Sequence, residues 1–179
     1  MANTYTLINS TSLSSSAASV TFSAIPATFD DLILEVSGKT DGSTTYGSYS
    51  VYLEFNANTS TIYSDTNLWV TWDGSSDLIS SDRNSGTSFV RFPYTGEANP
   101  PSNVFGSLYV YIPAYRVSQN KPLSAFGVTE RNSSQIDGID LTAGLFRSTA
   151  AITELKIKPA GSIQWVSGST FWLYGIKNS

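Results

Sequence analysis

The sequence contains neither cysteine nor histidine, and it has few charged residues. A chain without these two residues cannot form disulfides, a thiolate nucleophile, a Ser-His-Asp triad or the usual zinc, copper and haem sites. Charged residues make up 13% of the chain, whereas an average soluble domain has about 25%. We therefore expect stability to rest on packing alone, and we expect no metal site and no cofactor.

Motifs for nucleotide binding and nucleophilic catalysis are missing as well. The sequence has no G-x-S-x-G, no Walker A and no G-x-G-x-x-G. A net charge of −4 and a pI near 4.6 disfavour a nucleic-acid partner, because the phosphate backbone attracts basic surfaces. No run approaches the roughly 20 apolar residues that cross a bilayer. We predict a protein that is not an enzyme and that binds neither nucleic acid nor membrane.

Segments that alternate apolar and polar residues at period two are abundant, and this pattern is typical of strands with one buried face. The clearest run from Tyr49 to Phe55, from Asp31 to Val36 and from Glu154 to Lys158. Further candidates are Tyr5 to Asn9, Ser19 to Ser23, Asn67 to Trp72, Ser88 to Phe92, Val104 to Ile112, Pro122 to Arg131, Leu141 to Phe146 and Thr170 to Ile176. Turn signals between them include Asp41-Gly42, Asp73-Gly74 and Asp137-Gly138.

Many short strands with frequent turns and no unbroken helical stripe indicate an all-β fold. We predict a single domain over residues 1–179, an antiparallel β-sandwich with a jelly-roll-like topology, and an immunoglobulin-like Greek key as the alternative. The region 39–103 mixes Gly, Ser, Asn and Asp with aromatic residues. There we expect an elaborated insertion of long loops with a hairpin.

Three blocks of sequence carry a resemblance to a known group of proteins. They run from Thr4 to Leu32, from Phe105 to Pro113 and from Ala150 to Ile176. Together they resemble small virion structural proteins of tailed bacteriophages, common in aquatic phages. The resemblance implies a capsid decoration (cement) protein or a fibre domain. It further implies a homotrimer that contacts phage coat or tail proteins in a virion assembled in the host cytoplasm. It carries over no catalytic residue.

Two of the predicted strands are apolar on both faces, and the second face of such a strand needs a cover of its own. The aromatic residues on these second faces are Tyr109, Tyr111, Trp172 and Tyr174. Tyrosine and tryptophan bring large contact areas with little side-chain entropy to lose. We predict that these four residues form an interface, and the alternative is a two-sided core within one domain.

A second aromatic cluster has carboxylates close by in the sequence. Tyr63, Trp69 and Trp72 lie near Asp73 and Asp77. Aromatic rings stack on the apolar faces of sugars while carboxylates accept hydrogen bonds from hydroxyls, so this set is a candidate glycan site. The preferred alternative places Trp69 and Trp72 on opposite faces of one strand, in the core and at an interface.

The remaining carboxylates have plainer interpretations. Asp137 and Asp140 flank a predicted turn, and with Asn132 they offer oxygen ligands for Ca²⁺, but the spacing is not that of an EF-hand. A solvated turn is the preferred interpretation. Glu35 and Glu54 occupy the polar faces of predicted strands, where solvation explains them.

The leading functional hypothesis is a capsid decoration protein that stabilises the phage particle by binding the assembled coat. The alternative is a glycan- or receptor-binding domain of a tail or head fibre, with a host glycan as ligand. A hydrolase is the third and weakest hypothesis, since 14 acidic residues make some suitably spaced pair inevitable.

Overall fold

The computed structural model describes residues 4–42, 50–72, 76–92, 104–130 and 137–178, without the side chains of Trp72, Asp77 and Asp137. Two positions used in the sequence-based predictions, Asp73 and Asn132, lie outside these ranges. The candidate Ca²⁺ ligand Asn132 and the candidate glycan contact Asp73 therefore stay predictions.

The described residues form strands and no helix. The strands are β1 (Thr4–Ser12), β2 (Val20–Phe22), β3 (Asp31–Gly38), β4 (Val51–Phe55), β5 (Tyr63–Trp72), β6 (Asp77–Thr87), β7 (Val90–Phe92), β8 (Gly106–Ile112), β9 (Lys121–Thr129), β10 (Asp137–Phe146), β11 (Leu155–Pro159) and β12 (Thr170–Lys177). The prediction of an all-β protein is confirmed.

Two antiparallel sheets make up a β-sandwich. The large sheet has eight strands in the order β1-β12-β3-β8-β9-β10-β5-β6, and the small sheet has four in the order β2-β11-β4-β7. All neighbouring strands are antiparallel. The antiparallel sandwich is confirmed, and the jelly-roll topology stays a prediction.

The core lies between the two sheets and follows the predicted alternation. Val51, Leu53 and Phe55 of β4 are completely buried, and Leu155 and Ile157 of β11 are too. The large sheet supplies Leu32, Leu34, Val36, Leu108, Val110, Ile112, Phe171 and Leu173 from β3, β8 and β12. Burying apolar area at about 25 cal/mol per Å² is what holds the two sheets together.

Large aromatic side chains fill one end of the core under β12. Trp165 is fully buried, and its ring meets the ring of Phe171 edge to face at 5.1 Å. Gly38 makes room for it, because a Cβ at this position would lie 2.6 Å from the Trp165 ring. The close approach of the Trp165 ring explains why the last residue of β3 is a glycine.

The middle of the chain contributes strands to both sheets. β5 and β6 form a hairpin and extend the large sheet, while β4 and β7 belong to the small sheet. The strand β6 was not predicted. Gly86 of β6 has a φ of +69° at the point where the register with β5 shifts, so it occupies a β-bulge.

The predicted turn at Asp137-Gly138 is wrong. Both residues belong to β10, where Gly138 pairs with Thr129 of β9 and with Thr71 of β5. Asp-Gly is common in turns, but a strand bonded on both sides overrides that local preference.

Candidate functional site

The face of the large sheet that points away from the small sheet, called the outer face from here on, carries three rows of side chains. Strand pairing aligns the first row as Trp172, Glu35, Tyr109, Phe126, Leu141 and Leu68. The second row is Tyr174, Ile33, Tyr111, Ser124, Ala143, Thr66 and Arg83. The third row contains Ser37, Ser107, Val128, Ile139, Val70 and Ile79.

The centre of the outer face is apolar and exposed. Phe126 is 44% exposed, and Leu141, Leu68, Ile139 and Ile79 are exposed at neighbouring positions. These residues alternate with the buried residues of β9, β10 and β5, so one sheet has a dry inner face and an apolar outer face. Contiguous apolar patches of this kind mark interaction sites, since monomeric proteins rarely expose them.

All four predicted interface residues lie on the outer face. Tyr109 and Tyr111 on β8 flank β3 from one side, and Trp172 and Tyr174 on β12 flank it from the other. Tyr109 is exposed and the other three are half-buried, while Ile33 between them is fully buried. The structure thus brings the four together in one patch that is continuous with the apolar centre.

Hydrogen bonds and a ring contact hold the tyrosines of this patch in place. Tyr111 donates a hydrogen bond of 2.9 Å to Asp31, and Tyr109 is hydrogen-bonded to Tyr5, whose ring meets Tyr174 edge to face. Burial, with Tyr5 and Glu35 nearby, raises the pKa of Tyr109 to about 12. The Tyr109 hydroxyl therefore stays neutral at physiological pH.

A cleft of about 310 Å³ opens on the outer face beside Glu35. Tyr109 and Trp172 form its walls, and Ser37 and Ser107 lie at the next positions along the strands. Within the described part of the chain, the Glu35 carboxylate forms no hydrogen bond and no ion pair. The sequence-based prediction treated Glu35 as an ordinary solvated residue. The structure places its carboxylate between the rings of Tyr109 and Trp172.

Tyr63 and Trp69, two members of the predicted glycan site, do not come together. Tyr63 is fully buried, and its hydroxyl accepts a hydrogen bond from the Phe55 amide at 3.0 Å and donates one to the Asn58 carbonyl at 2.9 Å. Six positions of one strand separate Tyr63 from Trp69, a distance of about 20 Å. The assignment of Tyr63 to a ligand site is therefore wrong. The Trp72 side chain and Asp73 lie outside the described residues.

A buried polar network, which the sequence pattern did not predict, lies on the inner face of β5 and β10. Thr142 donates a hydrogen bond of 2.7 Å to the Asn67 carbonyl oxygen, and the Asn67 amide donates to Asp65 at 2.7 Å and to Asp82 at 3.0 Å. Asp140 lies 3.4 Å from the Thr142 hydroxyl. Burial raises the pKa of Asp140 to about 7.

The small sheet closes this network through one residue of β7. The Arg91 amide donates to Asp65 at 3.2 Å, and its guanidinium pairs with Asp82. Burial alone would raise the pKa of Asp82, but hydrogen bonds from Arg91 and Asn67 outweigh it and lower the pKa. Across the described residues, no group of three acidic side chains is arranged to hold a metal ion. The network is a polar joint between the sheets.

Glu54 is not a solvated residue of a polar strand face, contrary to the prediction. It is buried and pairs with Lys156 at 3.0 Å and Lys158 at 2.5 Å. Burial raises its pKa, and the hydrogen bonds from the two lysines more than reverse that effect. Both lysines also line a second cleft of about 310 Å³, where the rings of Tyr52 and Phe89 stack at 3.7 Å.

Comparisons with known proteins identify no family. No family model matches the chain, and no curated protein matches it. Among solved structures, the legume lectin-like domain from Entamoeba histolytica aligns with 94% of this chain and 88% of its own, at 6% identity and a TM-score of 0.18. A likeness at this level carries no argument about function. The described residues include no helix that is long and apolar enough to cross a membrane.

Proposed function

We propose that this protein is a structural subunit of a phage virion, a capsid decoration protein that stabilises the assembled coat. The observation that supports an assembly role is the outer face, where every strand from β8 to β6 carries an exposed apolar or aromatic residue. The phage setting rests on the resemblance of the sequence. The homotrimer belongs to the same proposal.

The proposed mechanism is mass action. A subunit that binds the assembled coat and not the free coat protein shifts the equilibrium toward the particle. Several copies held together bind more tightly than one, because each further contact is intramolecular. The low charge of the surface favours this role, since few ions lose their hydration when it is covered.

The proposal is tested on virus particles that lack the protein. We expect such particles to form and to infect, but to burst at a lower temperature and after milder dilution from salt. Adding back the purified protein restores the robustness, and an outer-face variant does not. Quantitative mass spectrometry of the particle gives the copy number, which is expected in the hundreds. Unchanged robustness, or about a dozen copies, rejects the decoration role.

A host glycan is the second candidate ligand, favoured by the cleft beside Glu35. Tyr109 and Trp172 offer ring faces for stacking, and Glu35, Ser37 and Ser107 offer hydrogen-bonding groups. Under this alternative, Trp172→Ala and Glu35→Gln abolish binding of the protein to host polysaccharide. Trp69→Ala is the control, because Trp69 lies on the inner face of β5. Absence of polysaccharide binding by the wild-type protein removes this candidate.

A further inference from the structure

Two opposite charges, for which the described residues provide no partner, lie five strand spacings apart on the outer face. Glu35 on β3 and the exposed Arg83 on β6 form no ion pair and no hydrogen bond through their side chains within the part of the chain that the structure describes. The other described basic side chains do have partners. Those with a defined contact are Arg91, Arg116, Lys121, Arg147, Lys156, Lys158 and Lys177.

The residues between the two charges are apolar or small. Five strand spacings separate β3 from β6, about 24 Å at roughly 4.8 Å per strand. Phe126, Leu141 and Ala143 lie midway. Three rows over this width give a flat footprint of about 500 Å², which is near the upper limit for exposed patches on monomers.

We propose that the outer face packs against the outer face of other copies of this chain, with Glu35 of one copy pairing with Arg83 of another. The inference rests on the proposed assembly role and names the partner of that surface. Each copy supplies both members of the ion pair, so the face is complementary to itself. The apolar centres of the two faces meet. Each buried charge has an opposite charge beside it, whereas a charge buried without a partner would disfavour the contact.

The aromatic cleft fits this partner. A guanidinium entering between Tyr109 and Trp172 stacks on aromatic rings while it reaches the Glu35 carboxylate, and arginine favours both contacts. Ser37 and Ser107 offer hydroxyl oxygens as acceptors for the remaining N–H groups.

Two arrangements satisfy the pairing. In a two-fold pair, the sheets lie face to face and the axis passes between β9 and β10, so both ion pairs form at once. In a three-fold ring, the end of each outer face that carries Glu35 meets the end of the next face that carries Arg83. Both arrangements bury Phe126 and Leu141 at the centre.

The test is a charge exchange read by sedimentation equilibrium on the full chain. Wild type is expected to self-associate, and Glu35→Arg or Arg83→Glu alone raises the dissociation constant at least about 30-fold, since each brings like charges together in a buried contact. The double variant Glu35→Arg/Arg83→Glu is expected to return to within about threefold of wild type. Rescue by the exchange is the result that a merely structural role of either residue does not give.

Mixing the two single variants in equal amounts identifies the arrangement. A two-fold pair of unlike variants has both ion pairs restored, so association recovers fully. A ring of three always keeps one like-charge contact, so recovery is partial. Either result supports the proposal, whereas no recovery in the mixture and none in the double variant overturns it.

Two controls keep the test independent of folding and of the proposed function. Circular dichroism and the urea midpoint of each variant, measured below the association range, show that the monomer is intact. Arg147→Glu is the control charge reversal at an exposed arginine that lies outside the strands and donates to the Thr61 carbonyl. A wild-type protein that stays monomeric up to its solubility limit overturns the inference even if it stabilises virus particles. An exchange rescue without any effect on particles rejects only the decoration role.

Discussion

Tyr63 illustrates how one hydrogen-bonded hydroxyl decides whether an aromatic residue belongs to a core or to a site. Its ring stacks on Phe146 with 4.8 Å between the ring centres, while its hydroxyl bonds to the backbone of Phe55 and Asn58. The bond to the Phe55 amide is buried and the bond to the Asn58 carbonyl is half-buried, and both are lost if this one oxygen is removed. Burial raises the Tyr63 pKa to about 12, which keeps the hydroxyl able to donate.

Tyr63→Phe is predicted to lower the free energy of unfolding by about 1–3 kcal/mol, because it leaves backbone groups of Phe55 and Asn58 without a partner. Urea denaturation at one protein concentration measures the change. Tyr174→Phe is the control, since Tyr174 is half-buried on the outer face, and it should change the free energy by less than about 0.5 kcal/mol. Equal midpoints for both variants would contradict the assignment.

Asp140 is a buried carboxyl group whose pKa lies near neutral pH. Burial is the main cause, because it disfavours the charged carboxylate, and the hydrogen bond that Thr142 donates and the nearby Arg91 offset this effect only in part. With a folded pKa of about 7 and an unfolded value near 3.9, folding takes up a proton between these two values. Stability from this group is present at low pH and is lost as the pH rises through 7.

Asp140→Asn is predicted to remove that loss. For wild type, the free energy of unfolding should fall by on the order of 2 kcal/mol between pH 5.0 and 7.5. The variant should show a nearly flat profile, because asparagine stays neutral over this pH range. The absence of histidine keeps this pH range clear of the usual titrations. A wild-type profile that is flat from pH 5.0 to 7.5 would refute the protonated state.

At the scale of strands, alternation of apolar and polar residues predicted the strands that have one buried apolar face. It did not predict strands whose inner face is polar. The strands β3, β4 and β11 follow the predicted pattern at Leu34, Leu53 and Ile157. The strand β6 reads Asp-Leu-Ile-Ser-Ser-Asp-Arg-Asn-Ser-Gly-Thr and lies at the edge of the sheet. Its inner face binds the polar network and not the core, so no apolar alternation marks it.

The same reasoning explains the errors at the candidate site. Period-two alternation says which residues share a face, but not which face a second layer covers. Tyr63 and Trp69 do share a face, yet the small sheet covers one of them completely. Glu54 occupies the polar face of β4, and its burial depends on two lysines about a hundred residues later in the chain. Long-range contacts of this kind leave no local signal.

Close packing of a loop against β12 gives a prediction at the level of elements. Gly175 lies directly beneath the ring of Phe29, and a Cβ at this position would be 2.2 Å from the ring. Gly175→Ala is therefore predicted to destabilise the fold by about 1–3 kcal/mol, because the ring and its loop must shift. The urea midpoint measures this cost.

A double-mutant cycle identifies the cause of that cost. Phe29→Ala removes the ring and is destabilising by itself, but adding Gly175→Ala to it should then cost little. The two effects should fall short of additivity by at least about 0.5 kcal/mol. Strict additivity would mean that the alanine acts elsewhere.

At the scale of the whole molecule, the large sheet is wider than the small sheet that covers it. The large sheet has eight strands and the small sheet has four. Where the apolar core ends, the polar network at Asp65 and Asp82 connects the two sheets. On the opposite side the sheet stays apolar over its whole centre. The fold thus leaves apolar surface exposed on the outer face, and this surface is the physical basis of the proposed assembly role.

Matched substitutions at Leu141 and Leu78 test whether the outer face is the surface of self-association. They are 49% and 48% exposed, but Leu141 lies on the outer face, whereas Leu78 pairs with Thr71 and lies on the other side of the sheet. Leu141→Glu is predicted to raise the dissociation constant for self-association at least about tenfold, since a carboxylate would be buried in an apolar contact. Leu78→Glu should leave it unchanged. Because both side chains are half exposed, the unfolding free energy of the monomer should change by less than about 1 kcal/mol in each. Sedimentation of the two variants decides the matter: equal association would show that the outer face of the sheet is not the surface through which copies meet.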